Sequence, residues 1–197
     1  MPTEKNGDYF FMKSYIILDR DGVINYESDE YIKSPAEWRP IPRSLEAIAQ
    51  LNRHGFHVLV ATNQSGVGRG LYDLEMLSRI HEKFVHELAA VGGYVDEIFF
   101  CPHHPDEKCI CRKPNPGMLQ QIAVKYPINF AETFFIGDSL VDVQAALAVG
   151  CQPLLVCTGK TNYQQVQQQY DKLIANVPYF ADLAAAVEYV LSHDIVK

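Results

Sequence analysis

The sequence predicts an α/β fold: a mainly parallel sheet covered by helices on both faces, with no separate cap domain. Short apolar runs alternate with amphipathic stretches along the 197 residues. There is no internal repeat, low-complexity linker or second apolar core. The apolar runs also end abruptly in polar clusters, as strands do where a parallel sheet presents its carboxyl edge.

The first apolar run, Tyr15–Leu18, breaks off at Asp-Arg-Asp-Gly and reads as a strand. An amphipathic segment follows at Ser44–Arg53, and Gly55 stands where that helix should stop. His57–Ala61 is the second strand. Leu77, Ile80, Phe84, Leu88 and Val91 recur every three or four residues, one buried stripe of a longer helix. Strands at Glu97–Phe100, Thr133–Ile136 and Pro153–Val156 then alternate with helices at Gly117–Lys125 and Leu140–Val149, the latter ended by Gly150. Asp182–Leu191 is the last helix, and the Gln-rich NYQQVQQQYDK before it reads as a solvated helix or loop. The whole is a Rossmann-like three-layer sandwich occupying residues 12–197, with 1–11 as a flexible extension.

Composition narrows the function. A hydrophobic share of 48% with 21% charged residues is that of a soluble domain, expected to be a cytoplasmic monomer. A net charge of −7 argues against nucleic acid as a partner, because phosphate backbones are met by basic faces. No run approaches the length of a membrane span, and the first residues lack the apolar core of a secretory signal.

Chemistry concentrates at the strand ends: DRDG after Leu18, TNQSG after Ala61, CPHH after Phe100 and GDS after Ile136. In an open parallel sheet these meet on one rim. Asp19 and Asp21 would point to one side if the extended backbone persisted. With Asp138 they form a candidate Mg²⁺ site, since that ion takes one or two carboxylates plus water and phosphate oxygens. Asp142 would brace it from one helical turn further on. Thr62 and the glycine-rich loop after it suit phosphoryl oxygens. Arg112 and Lys113, directly before two prolines and a glycine that open a helix, supply positive charge.

The five cysteines are unevenly spread. In CPHHPDEKCICRKP, Cys101, His103, Cys109 and Cys111 form a Cys₃His set of the kind that holds structural Zn²⁺. His104 is the competing imidazole, and His103 is preferred because its spacing mirrors the Cys109–Cys111 pair. Four protein ligands leave no open position, so the zinc would stabilise the loop that carries Arg112 and Lys113. Cys151 and Cys157 read as small buried hydrophobes.

Together, DRDGVIN, TNQSG, RKPNPGM and GDSLVD, in this order and at these separations, resemble the haloacid dehalogenase-like phosphatases from about residue 15 onward. The resemblance implies that Asp19 is the nucleophile and Asp21 the general acid/base. Thr62 and Lys113 would stabilise the transferring phosphoryl group, and Asp138 would complete the Mg²⁺ site. It implies a small phosphorylated sugar as substrate, on a route to bacterial surface glycans, with histidinol phosphate as the alternative. Its binding residues would be Glu27, Ser28, Asp29, Glu30 and Tyr31, then Thr62, Asn63, Gln64 and Ser65, then Arg112, Lys113, Asp138 and Ser139. Arg112 would recognise a second phosphate or the sugar itself. Some relatives carry Lys where Ser139 stands, so contacts at that corner differ here.

A phospho-acceptor receiver domain is the competing reading of another class. It shares acidic strand ends, a Thr and a Lys on an α/β sheet. It has no need of an acid two residues beyond the phosphorylated one, nor of a zinc loop.

Overall fold

Six strands make up the sheet among the described residues: β1 (Tyr15–Leu18), β2 (His57–Asn63), β3 (Glu97–Cys101), β4 (Phe134–Gly137), β5 (Gln152–Val156) and β6 (Tyr179–Phe180). Their order is β3-β2-β1-β4-β5-β6 and every pair is parallel. The structure is a computed structural model that describes residues 14–159 and 174–194. The extension expected at 1–11 and the Gln-rich segment at 162–172 lie outside the described residues.

Six α-helices accompany the strands among the described residues: α1 (Ser44–Arg53), α2 (Ser65–Gly68), α3 (Leu74–Ala90), α4 (Gly117–Lys125), α5 (Leu140–Val149) and α6 (Leu183–Asp194). The two-residue period of a strand sorts its side chains into two cores. Ile16 and Leu18 pack with Val58, Val60 and the apolar faces of α1, α3 and α6. Tyr15 and Ile17 pack on the opposite face with Leu59, Ala61, Phe135, Met118, Ile122 and Ala146. Three layers follow, with β1 buried in the middle one.

The expected boundaries of α1, α4 and α5 match the observed ones. Gly55 and Gly150 adopt φ of 84° and 81°, the left-handed conformation that ends a helix without a steric penalty. Three expectations change. Val91 caps α3 and is exposed, because the helix ends at Ala90. Cys157 follows the end of β5 and is exposed, whereas Cys151 is buried as expected. The short edge strand β6 went unforeseen.

The chain runs outward from β1 through β2 to β3, then returns to the other side of β1 as β4. The switch point therefore lies between β1 and β4, where a parallel sheet opens a crevice at its carboxyl edge. Register pairs Leu18 with Ile136, which brings Asp19 and Asp138 to that crevice side by side. Instead of a cap domain, a loop spans residues 19–43. It is anchored by Trp38, fully buried against Phe84, and by Lys83, whose Nζ donates to the carbonyls of Pro35 and Trp38.

Candidate active site

Above the crevice is a cavity of about 420 Å³ lined by Asp19, Asp21, Thr62, Arg112, Lys113, Asp138 and Ser139, among others. Lys113 is its electrostatic centre. Its Nζ lies 3.0 Å from Asp19 Oδ2, 2.6 Å from Asp142 Oδ1 and 2.7 Å from the Ala61 carbonyl, and the residue is only 2% exposed. Asn63 brackets its main chain: the Asn63 side-chain amide donates to the Lys113 carbonyl and accepts from the Lys113 N–H, each at 3.1 Å. Asn63, expected to touch substrate, thus fixes the main chain of Lys113.

One oxygen each of Asp19, Asp138 and Asp142 lies within 4.8 Å of the others. Burial pushes the Asp19 carboxyl up to about 7, against the opposing pull of Lys113 and helped by Asp142 and Asp21. Asp138 rises to about 9 through burial and the charges of Asp142, Asp19 and Glu27. Such a cluster resists full ionisation until a cation arrives, and hard oxygen ligands suit Mg²⁺. Asp142, expected to brace the site, is held by Lys113 and by the Ser139 N–H and hydroxyl at the start of α5. Gly22 and Gly159 lie against Asp138 Oδ2, since a β-carbon on either would collide with its carboxylate.

Asp21 is not in this cluster. The extended backbone ends at Leu18, and the Asp21 carboxylate instead accepts from Arg20 Nε and Nη2, Asn25 Nδ2 and Gln64 Nε2 at 2.8–3.2 Å. Burial alone would raise its pKa, but Arg20 and the hydrogen bonds from Asn25 and Gln64 prevail and hold it below the usual range. Arg20 is fully buried and also donates to Gln64 Oε1 at 3.1 Å. Its Nη1 lies 3.0 Å from His81 Nε2. Burial and the Arg20 charge push His81 down to about 3, so its ring is neutral and accepts this bond. Gln64, expected at the substrate, has its amide committed to Asp21, Arg20, Thr62 Oγ1 and the Tyr72 hydroxyl.

The acidic loop divides. Glu27, Ser28 and Tyr31 line the cavity. Asp29 and Glu30 do not, because the Tyr31 N–H bonds back to the Ser28 carbonyl at 3.2 Å and this turn puts both middle residues in solvent. Ser65 and Ser139, expected at the substrate, line the cavity, together with Ile32, Arg69, Tyr72 and Val141, which sequence reasoning missed. Arg69 stands between two glycines of the glycine-rich stretch and Tyr72 just beyond it, with no pattern that marks either.

Beside this cavity, Cys101, His103, Cys109 and Cys111 converge. Sγ of Cys101 is 3.4 Å from that of Cys109 and 3.6 Å from His103 Nδ1, while Cys111 Sγ is 3.2 Å from His103 Nδ1 and 3.5 Å from Cys109 Sγ. Zinc–sulfur bonds of about 2.3 Å imply tetrahedral edges of roughly 3.8 Å, so the four atoms can hold such an ion with small adjustment. His104 stays outside the cluster and caps a turn, its Nδ1 accepting from the Asp106 N–H. The loop from this cluster delivers Arg112 and Lys113 to the cavity.

Comparison with known proteins identifies the family. Residues 110–186 match the HAD-hydrolase-like family model. The D-glycero-beta-D-manno-heptose-1,7-bisphosphate 7-phosphatase of Pseudomonas aeruginosa is 50% identical over 91% of this chain and 98% of its own length. The same-named protein of Pseudomonas putida is 57% identical over 74% of this chain and 83% of its own. The crystal structure of D,D-heptose 1,7-bisphosphate phosphatase from B. bronchiseptica, complexed with magnesium and phosphate, superposes with a TM-score of 0.86. It is 48% identical and covers 91% of this chain and 99% of that one. The crevice acids, the buried lysine and these relatives converge: the chain belongs to the D-glycero-β-D-manno-heptose-1,7-bisphosphate 7-phosphatases, within the haloacid dehalogenase-like hydrolases.

Proposed function

We propose that this protein hydrolyses the 7-phosphate of D-glycero-β-D-manno-heptose 1,7-bisphosphate, leaving heptose 1-phosphate for nucleotide-activated heptose synthesis. The observation that carries the reading is the buried Lys113 ammonium shared by Asp19 and Asp142 at the sheet's switch point, inside an open cavity. The names of the relatives supply the substrate and the anomer.

Asp19 attacks phosphorus, and the bond from phosphorus to the C7 oxygen breaks as an aspartyl-phosphate forms. Lys113 and the Thr62 hydroxyl at the end of β2 stabilise the phosphoryl oxygens. Magnesium, when held by Asp19 and Asp138, supplies charge that offsets repulsion between the carboxylate and the anionic ester. Asp21 gives its proton to the departing alkoxide, then takes one from the water that hydrolyses the intermediate. The donors around Asp21 favour its carboxylate form, the base of the second role, and the proton it takes from water restores the acid form that the first role requires. Zinc at Cys101, His103, Cys109 and Cys111 would hold the loop that carries Arg112 and Lys113, and no step passes through it.

We further infer a single catalytic domain over residues 12–197, acting as a monomer in the cytoplasm with neither nucleic acid nor membrane as partner. The net charge of −7 supports the first exclusion, and among the described residues no helix is long and apolar enough to cross a membrane. Parallel assays on the α- and β-bisphosphates and histidinol phosphate test the reading, with phosphorus NMR to show which ester is cleaved. Faster release from the β-bisphosphate at C7 is expected. Preference for histidinol phosphate, or a long-lived phosphoprotein after acetyl phosphate treatment, would overturn it.

A further inference from the structure

We propose that Arg69 is a specificity residue: its guanidinium, stacked on Tyr31, takes the substrate's second phosphate, the one that is not cleaved. The inference rests on the heptose bisphosphate reading above and deepens it.

The argument starts from charge. The cavity is lined by the carboxylates of Asp19, Asp21, Glu27 and Asp138 and by the cations Arg69, Arg112 and Lys113. A bisphosphate adds a dianionic group at each end of one small molecule, and each end needs its own positive partner. Lys113 is committed to Asp19 and Asp142, and the nearby Arg20 is committed to Asp21. Among the described residues, neither Arg69 nor Arg112 has a carboxylate within salt-bridge range, and Arg112 Nη1 is buried without a hydrogen-bond partner. These are the two lining cations with donors to spare.

They come from different walls. Arg112, expected from the sequence to meet the second phosphate or the sugar, precedes Lys113 on the loop from the cysteine cluster and is left to the sugar or the scissile end. Arg69 caps the C-terminus of α2, and its guanidinium carbon sits 5.8 Å from the ring centroid of Tyr31, which belongs to the loop over residues 19–43. Stacking on an aromatic face restrains a guanidinium while leaving its N–H groups open to an anion, which suits a planar fork meeting phosphate. Tyr31 is itself held at φ 63°, a conformation unfavourable for a bulky residue, and strain of that kind gathers where a side chain must be presented to a ligand. A cavity of about 420 Å³ falls in the range that encloses a sugar of this size with both phosphates.

The test compares two substrates that share the scissile ester: the β-1,7-bisphosphate and heptose 7-phosphate. For each enzyme the readout is the ratio of their kcat/KM values. Wild type should favour the bisphosphate, and Arg69→Gln should shrink that ratio by about 10- to 100-fold, the worth of a charge-assisted hydrogen bond pair. Arg69→Lys should restore part of it, and Tyr31→Leu should lower it less than Arg69→Gln does. Arg69 is exposed at the cavity mouth, so the variants should melt where wild type does. An Arg69→Gln ratio equal to that of wild type overturns the inference, whatever the absolute rate. So does a wild-type ratio near one. A wild-type enzyme inactive on the bisphosphate would instead remove the reading beneath it, and the inference with it.

Discussion

Replacing Lys113 with Met would test the electrostatic core of the site, because the thioether keeps the length of the side chain and removes only its charge and donors. In the native protein Nζ makes three contacts of 2.6–3.0 Å, two of them to buried carboxylates. Removing one partner of a buried pair costs about 3–5 kcal/mol, since the other charge is left uncompensated. For a chain of this size each kcal/mol moves the midpoint by about 2–4 °C, so the loss should be roughly 6–20 °C. The size should depend on pH. Asp19 is already raised to about 7, and without the ammonium it rises further, so at acidic pH it takes up a proton and escapes much of the penalty. Lys113 itself is raised, burial being outweighed by Asp142 and Asp19. Its own stabilisation is therefore present below the usual lysine range, is lost only above it, and is constant over neutral pH. Thermal unfolding by circular dichroism in magnesium-free buffer at pH 6 and pH 8 decides the matter. A midpoint within about 2 °C of wild type at pH 8, or a larger loss at pH 6 than at pH 8, would refute the reasoning.

Asp19→Asn should abolish phosphate release, by on the order of 10⁴-fold or more, while the circular dichroism spectrum stays native; ordinary turnover would exclude Asp19 as nucleophile. Mg²⁺ should raise the melting temperature more at pH 8 than at pH 6. Asp19 and Asp138 are pushed up to about 7 and about 9, so the metal-free fold loses stability as pH rises through that window and the ion must displace fewer protons at its upper part. A pH-independent shift would count against those two acids as ligands. Gly159→Ala would place a methyl group against Asp138 Oδ2 and should weaken Mg²⁺ binding by about 10- to 100-fold in a calorimetric titration; unchanged affinity would show that the crowding does not matter. Metal analysis should find about one zinc per chain, and a folded, active, zinc-free preparation would dismiss the structural zinc.

The parts of this molecule that could be read without coordinates are those with a period or a topological rule behind them. Strands buried on both faces and amphipathic helices announce themselves through spacing. The convergence of Asp19, Thr62 and Asp138 follows from the carboxyl edge of a parallel sheet without knowledge of any contact. The Cys₃His set was legible because its ligands are close in sequence and chemically distinctive. The edge strand β6 is only two residues long and half exposed, so it has no apolar run to betray it. Asp29 and Glu30 have the composition of a sugar-binding loop, but a turn decided by the backbone sends them outward.

The harder loss is Arg20. Nothing in DRDG marks its arginine for burial, since a charge is seldom fully buried, yet it has no exposed surface and its partners stand 44 and 61 positions away at Gln64 and His81. Hydrogen bonds over such separations have no period and no motif. They exist because α3 carries His81 over the same strand edge that positions Asp21. The motif therefore reveals which acid is present, whereas the neutral imidazole and the buried guanidinium determine which way that acid faces. For Asp21 the outcome is a carboxylate held by Arg20, Asn25 and Gln64, apart from the oxygens of Asp19, Asp138 and Asp142.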